Sequence, residues 1–312
     1  MSTRAWISFG IVSFLWGIPY LFIRIAVDEG VPPGFLAWAR VVLGALVLLV
    51  IAWRAGLLGS LRGRWRWLAP YALVEIAIPF PLIAAGERYV SSSVAAILIA
   101  GVPLIVAALA LRFDPAERVG GSRLIGLLIG LAGVVALVGV DVAGSTNELI
   151  GAGLIGIAAV GYAAGPMMLA RNLSDLDPRV LMAGALTLAA IMLTPVALAD
   201  LPEATLSADA LWSILALGVL CTAAAFVVFG ALVIEVGAGR ALVITYVAPV
   251  VAVVAGMLVL DERPGPGAIA GLLLILAGSW LATSGGGSAG QSSPPGRRSA
   301  PAAASNRPAG LS

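Results

Sequence analysis

Ten times along the chain a run of about twenty residues passes almost without charge, which is the length of one membrane crossing. The runs lie near 6–27, 34–53, 68–86, 90–111, 123–140, 149–170, 180–199, 211–233, 241–260 and 267–284. A hydrocarbon core about 30 Å thick is spanned by roughly 20 helical residues rising about 1.5 Å each. Of the 312 residues, 61% are apolar and 11% charged. A soluble domain holds about 45–50% and 25%. Backbone polar groups in lipid must be satisfied within their own segment, which favours helices. The expected fold class is an all-α integral membrane protein of ten transmembrane helices, with the lipid bilayer as its obligatory partner. The connections are short, so no soluble domain is expected beside the bundle.

The basic side chains exclude much chemistry. All eighteen are arginine, with no lysine and no histidine. A chain without lysine has no Walker A loop and no Schiff-base cofactor, and one without histidine has no Ser-His-Asp triad, HExxH zinc site or histidine-ligated haem. A lone cysteine, Cys221, rules out an internal disulfide. No catalytic residue, metal or cofactor is expected, and the chain does not read as an enzyme. A net charge of +2 gives no reason for a nucleic-acid partner. The GxSxG match at Gly286–Gly290 falls in a Gly/Ser/Pro/Ala-rich tail with no strand, helix or histidine to serve it, so it is spurious.

Orientation follows from the arginines. With the N-terminus in the cytoplasm, the inner segments hold fourteen arginines and the outer loops only Arg88 and Arg263, while Arg24 and Arg40 lie within spans. This bias requires an even number of crossings and both termini inside. Residues 285–312 are read as a disordered cytoplasmic tail.

The halves are alike. Residues 123–137 align with 268–282 at an offset of 145, with six of fifteen positions identical, among them Gly126/Gly271 and Gly133/Gly278. The preceding runs align at an offset of 146, setting Pro103 over Pro249. The expected organisation is a first five-helix repeat over 1–140, a second over 141–284, and the tail. Five is odd, so the second repeat enters the membrane inverted. Inverted repeats recur in secondary transporters, with the solute site at the midplane. Matched proline kinks at Pro103 and Pro249 would point to it. The small-residue series Ser122, Gly126, Gly130 and Gly267, Gly271 are read as a contact between the fifth and tenth helices. A homodimer face is the alternative.

The order Trp16-Gly17, Pro32, Arg40, then Tyr89-Val90-Ser91-Ser92-Ser93 leading to Pro103, then Leu260-Asp261-Glu262 and Gly271…Gly278, resembles the drug/metabolite transporter superfamily, and within it the ten-helix EamA-type permeases. The resemblance spans residues 6–284. It implies a permease or exporter of small metabolites in a bacterial inner membrane.

Polar groups at membrane depth cost about 2.5–3.5 kcal/mol each, so the few present need a reason. Arg24, near the end of the first run, is expected to snorkel to the headgroups. Arg40 and Glu75 differ in height by roughly 10 Å and could form a structural pair. Alternatively, Glu75 relays a proton and Arg40 orients an anionic solute group. Trp16 and Tyr20, Tyr71 and Glu75, and Thr222 and Phe226 each lie one turn apart; Tyr162 is the repeat equivalent of Trp16; Thr245 and Tyr246 lie just before Pro249. Faces carrying a ring and a polar atom suit a cavity, and these residues form the candidate solute site. The function expected is secondary active transport of a small solute, an amino acid or related amphipathic compound, by alternating access, with a proton as candidate coupling ion. A receptor or structural protein of the same fold is the competing class, and an intramembrane enzyme using Glu75, Asp141 or Asp261 is a third.

Overall fold

A computed structural model describes residues 2–113, 121–237, 241 and 243–284, and among them it is almost wholly helical with no strand. The tail after residue 284, the stretch 114–120 and Arg240 lie outside the described residues. Eight helices are long and apolar enough to cross a membrane: α1 (Thr3–Asp28), α2 (Pro33–Arg54), α3 (Trp65–Gly86), α4 (Ser92–Leu109), α5 (Leu124–Val142), α6 (Thr146–Asn172), α7 (Pro178–Ala199) and α8 (Ala208–Val236). Two shorter apolar helices follow, α9 (Ile244–Val259) and α10 (Pro266–Ala282). Each falls on one apolar run of the sequence.

Local signals fix the helix starts. The hydroxyls of Ser2, Ser91, Ser145 and Ser207 accept from backbone N–H groups in the first turn of the helix each precedes. Pro33 and Pro178 occupy first helical positions, where the missing N–H costs nothing. Outward faces carry large apolar side chains such as Ile157, Leu198, Trp212 and Leu258, all more than half exposed, as a lipid-facing surface requires.

The sequence repeat is mirrored in the packing of α5 against α10. A Cβ on Gly133 would lie 2.9 Å from the carbonyl oxygen of Gly271, and one on Gly271 would lie 2.9 Å from that of Gly133. Gly126 and Gly278 face each other in the same reciprocal way, at 2.7 and 2.6 Å. Numbers rise along one helix as they fall along the other, so the two run antiparallel. Because Gly271 and Gly278 are the repeat equivalents of Gly126 and Gly133, one contact pair maps onto the other by a two-fold axis across the helices. The glycines thus serve a contact inside the chain, as the sequence suggested. A second antiparallel pair is α2 with α7, where the Trp38 indole donates to Thr194 Oγ1 at 3.2 Å and Asp200 Oδ2 accepts from Gly34 N–H at 3.3 Å.

Several helices are interrupted at depth. α1 breaks at Ile18, before Pro19. α3 widens to a π-helical turn over Leu73–Ala77, and α8 over Ala216–Ala224. Shifted by the repeat offset of 146, the first interval falls inside the second, so the two halves share this irregularity. The two aligned prolines, Pro103 and Pro249, sit in different local settings. α4 breaks at Gly101, and Pro103 sits in the first turn of the segment Val102–Phe113, where its missing N–H is harmless. Pro249 lies inside the continuous helix Ile244–Val259.

Candidate functional site

Arg40, seven residues into α2, is 9% exposed. Its Nε donates to Thr222 Oγ1 at 2.9 Å, and Thr222 donates in turn to the Leu217 carbonyl at 2.8 Å inside the wide turn of α8. The guanidinium carbon lies 4.2 Å from the centre of the Phe80 ring on α3. A hydroxyl and an aromatic face therefore hold the plane in place, while neither Nη has a hydrogen-bond partner among the described residues. A guanidinium so fixed presents free donors in a geometry that suits a carboxylate or phosphate.

Glu75 sits in the π-helical turn of α3. The turn forms because Ile78 N–H donates to Leu73 O, at 2.9 Å, and Pro79 has no N–H. Both groups that could serve the Val74 carbonyl are therefore withheld from it. Two glycines of α6 receive this bulge: a Cβ on Gly161 would lie 2.5 Å from Val74 O, and one on Gly165 only 1.8 Å from Glu75 Oε2. Glu75 Oε2 is shielded from solvent with no hydrogen-bond partner. Arg40 and Glu75 form no ion pair among the described residues. The structural pair envisaged from the sequence is absent, and Tyr162, one turn before Gly165, lies within electrostatic range of both.

Five of the expected residues thus converge: Arg40, Thr222, Tyr162, Glu75 and Tyr20, the last within electrostatic range of Tyr162 and Arg40. Trp16 and Phe226 meet edge to face, with ring centres 5.6 Å apart, and Phe229 stacks on Trp16 at 4.7 Å. They form an aromatic wall between α1 and α8. Tyr71 stays within electrostatic range of Glu75 but is 3% exposed in the apolar core, its hydroxyl 3.7 Å from Met182 Sδ on α7. Thr245 and Tyr246 are half-buried at the start of α9.

At the end of the bundle away from the N-terminus, the structure brings together residues that periodicity did not single out. Glu262 Oε1 accepts from Ser92 N–H at 2.8 Å and Oε2 from Ser93 N–H at 3.0 Å, and the Ser93 hydroxyl also donates to it. The acid thus sits on the N-terminus of α4, where the helix dipole favours it. Asp261, with φ of 53°, turns the chain so that Glu262 can reach. Arg24, expected to reach the headgroups, is held by groups of the protein. Its Nε binds Asp28 at 2.8 Å, and Nη1 donates to the carbonyls of Glu87 and Val90 at 2.7 and 3.2 Å. These carbonyls lie past the end of α3, where helix carbonyls lack intrahelical donors. Glu87 is fully buried, and neither carboxylate oxygen has a partner.

Comparison with known proteins places this geometry. The EamA-like transporter family matches the chain twice, over residues 4–139 and 149–284. An "Uncharacterized transporter" of Archaeoglobus fulgidus is 24% identical over 91% of this chain and 99% of its own length. "Uncharacterized transporter YoaV" of Bacillus subtilis is 24% identical over 87% and 94%. "Protein PagO" of Salmonella typhimurium is 39% identical over 101 residues, 32% of this chain and 33% of that protein. One crystal structure shares the fold with a TM-score of 0.65 over 91% of this chain and 98% of its own, at 22% identity. With two matches that together cover nearly all of the helical bundle, the chain belongs to the EamA-like transporter family.

Proposed function

We propose that the protein is a secondary active transporter with ten membrane-crossing helices in two inverted halves, residues 1–140 and 141–284, and both termini in the cytoplasm. It moves a small solute bearing an anionic group, an amino acid or a related amphipathic metabolite, by alternating access across an inner membrane. The carrying observation is Arg40: a mid-helix guanidinium fixed by Thr222 and Phe80 with both Nη groups unclaimed. An arginine this deep costs too much to keep for packing alone. Tyr20 and Tyr162 supply hydroxyls beside it, and the Trp16–Phe226 wall suits the apolar part of the solute.

Glu75 is the coupling carboxyl in this reading. An ionised carboxylate without donors is costly away from water, and a proton removes that cost. The irregular helices around it support the reading, since broken or widened helices at depth are how transporter folds expose backbone to a site. The Leu73–Ala77 turn withholds the Ile78 N–H from the Val74 carbonyl, next in sequence to Glu75.

The test is counterflow of radiolabelled amino acids by the purified protein in proteoliposomes. Glu75→Gln is expected to abolish uptake driven by a pH gradient while leaving exchange at equal pH within about twofold, because the loaded state is mimicked and only the proton cycle is lost. No counterflow with any amino acid, amine or sugar would favour a receptor or structural role.

A further inference from the structure

We propose that Glu87 is a second proton-binding site, which faces the outer solution and holds the outer gate shut while it is protonated. The proposal rests on the alternating-access reading, from which the outer side takes its name, and on the geometry around one side chain.

Glu87 follows the last residue of α3 and is fully buried, although its place in the sequence, beside Arg88, is that of a loop charge. Neither of its oxygens has a hydrogen-bond partner. Its backbone carbonyl, in contrast, is held by Arg24 at 2.7 Å, so the residue is positioned by its main chain while its carboxyl is left dry. Among the described residues, the charged or titratable groups that act on it are Arg24, Asp28 and Tyr20 on α1, Arg40 on α2, and Glu262 from the α9–α10 turn. Glu262 is fully engaged by Ser92 and Ser93, and Arg24 by Asp28 and two carbonyls, so none of them offers Glu87 a donor. The Ser92 hydroxyl, also buried and unpartnered, is a further polar group in the same region.

Directly outside lies a cleft of about 360 Å³ lined by Arg24, Asp28, Arg88, Ser91 and Glu262. Two polar clasps beside it tie this end together: that of Glu262 on the α4 N-terminus and that of Arg24 on the α3 end. Glu87 is within electrostatic range of Arg24, Asp28 and Glu262 of the cleft lining and also of Arg40. Burial, and then the neighbouring Glu262, push its carboxyl above the ordinary carboxylate range, with Arg24 and Arg40 acting the other way. When the clasps part, water from the cleft reaches Glu87, which ionises and releases its proton outward. The closed gate binds the extra proton. Its advantage is therefore complete below the ordinary carboxylate range and is lost as pH rises through the raised value.

The experiment reads gate opening without any solute, so a failure here is separate from a failure of the transport reading. In a Cys221→Ala background, Ser92→Cys keeps the backbone N–H that Glu262 uses and places a thiol under the clasp. Labelling by a membrane-impermeant maleimide is measured from about pH 5 to about pH 8 and divided by that of Tyr89→Cys, an exposed site, to remove the intrinsic reactivity of the thiol. The ratio is expected to rise with pH, by at most about tenfold per unit for one linked proton. Glu87→Gln should hold it low and flat. Glu262→Gln, which loosens the clasp, should hold it high and flat. Glu87→Asp keeps the titrating group and should keep the slope, which tests the idea even if Glu87→Gln does not fold. A flat ratio with native Glu87, or an unchanged slope in Glu87→Gln, overturns the proposal.

Discussion

Gly165 offers a way to move the Glu75 carboxyl without removing it. A methyl group there would start 1.8 Å from Oε2 and 2.8 Å from Cδ of Glu75, while the Glu75 Cβ is 3.3 Å away and near ordinary contact. To restore contact distance the carboxyl retreats by about 1.5 Å, a swing its outer torsions can make. An off-rotamer side chain costs about 0.5–1.5 kcal/mol, and alanine gains about 0.5–1 kcal/mol over glycine inside a helix, so Gly165→Ala should leave stability nearly unchanged. The same substitution one turn earlier behaves differently. At Gly161 the methyl would lie 2.5 Å from the Val74 carbonyl oxygen and 3.0 Å from Pro79 Cγ, and backbone locked by a proline cannot swing away. Overpacking of that kind costs about 1–3 kcal/mol. Thermal unfolding in detergent should therefore separate the two variants, with Gly161→Ala clearly the less stable. Transport should separate them the other way. A reacting group misplaced by about 1 Å can lose about a hundredfold, so gradient-driven uptake by Gly165→Ala should fall by at least about tenfold while the protein remains folded. Native gradient-driven uptake in Gly165→Ala, or equal destabilisation of both variants, would refute the assignment of Glu75 and the account of its seat.

Two further outcomes are expected. Arg40→Lys keeps the charge but loses the planar fork and the stacking on Phe80, so the apparent affinity of a carboxylate-bearing solute should weaken by at least about tenfold with little change for a neutral one; equal loss for both would make Arg40 a structural residue. For topology, Asn147→Cys and Ala204→Cys in the Cys221→Ala background should label from outside intact cells, and Ser60→Cys should not. These positions are chosen because Ser145 and Ser207 use their hydroxyls as helix caps. Labelling of Ser60→Cys from outside would reverse the orientation.

The fold could be read from the sequence because membrane helices are written in composition. Apolar runs set the helices, and the aligned glycines foretold the α5–α10 seam. The convergence of Arg40, Thr222, Tyr162 and Tyr20 was partly legible, since rings and hydroxyls at helical spacing mark faces that lipid would not favour. Three things were not. The wide turns in α3 and α8 are changes of backbone hydrogen-bond register, which the spacing of side chains does not record. The partners of Arg24 were not foreseen because depth along one helix says nothing about carbonyls presented by another. Glu87 was overlooked because an acid next to an arginine between two apolar runs reads as a solvated loop; only the third dimension shows it folded inward. The Ser91-Ser92-Ser93 and Leu260-Asp261-Glu262 segments were visible as marks of kinship, and the structure gives the physical reason they occur together: one clasps the other.

The α5–α10 seam has a consequence for how such a chain can be assembled. Its contact pairs, Gly126 with Gly278 and Gly133 with Gly271, exchange places under the two-fold axis, so each half carries both faces of the joint. A surface that recognises a copy of itself turned end over end needs no covalent tether to find its mate. The loop from Ala143 to Ser145 then serves to fix stoichiometry and insertion order, and a gene severed there would still encode two pieces shaped to embrace.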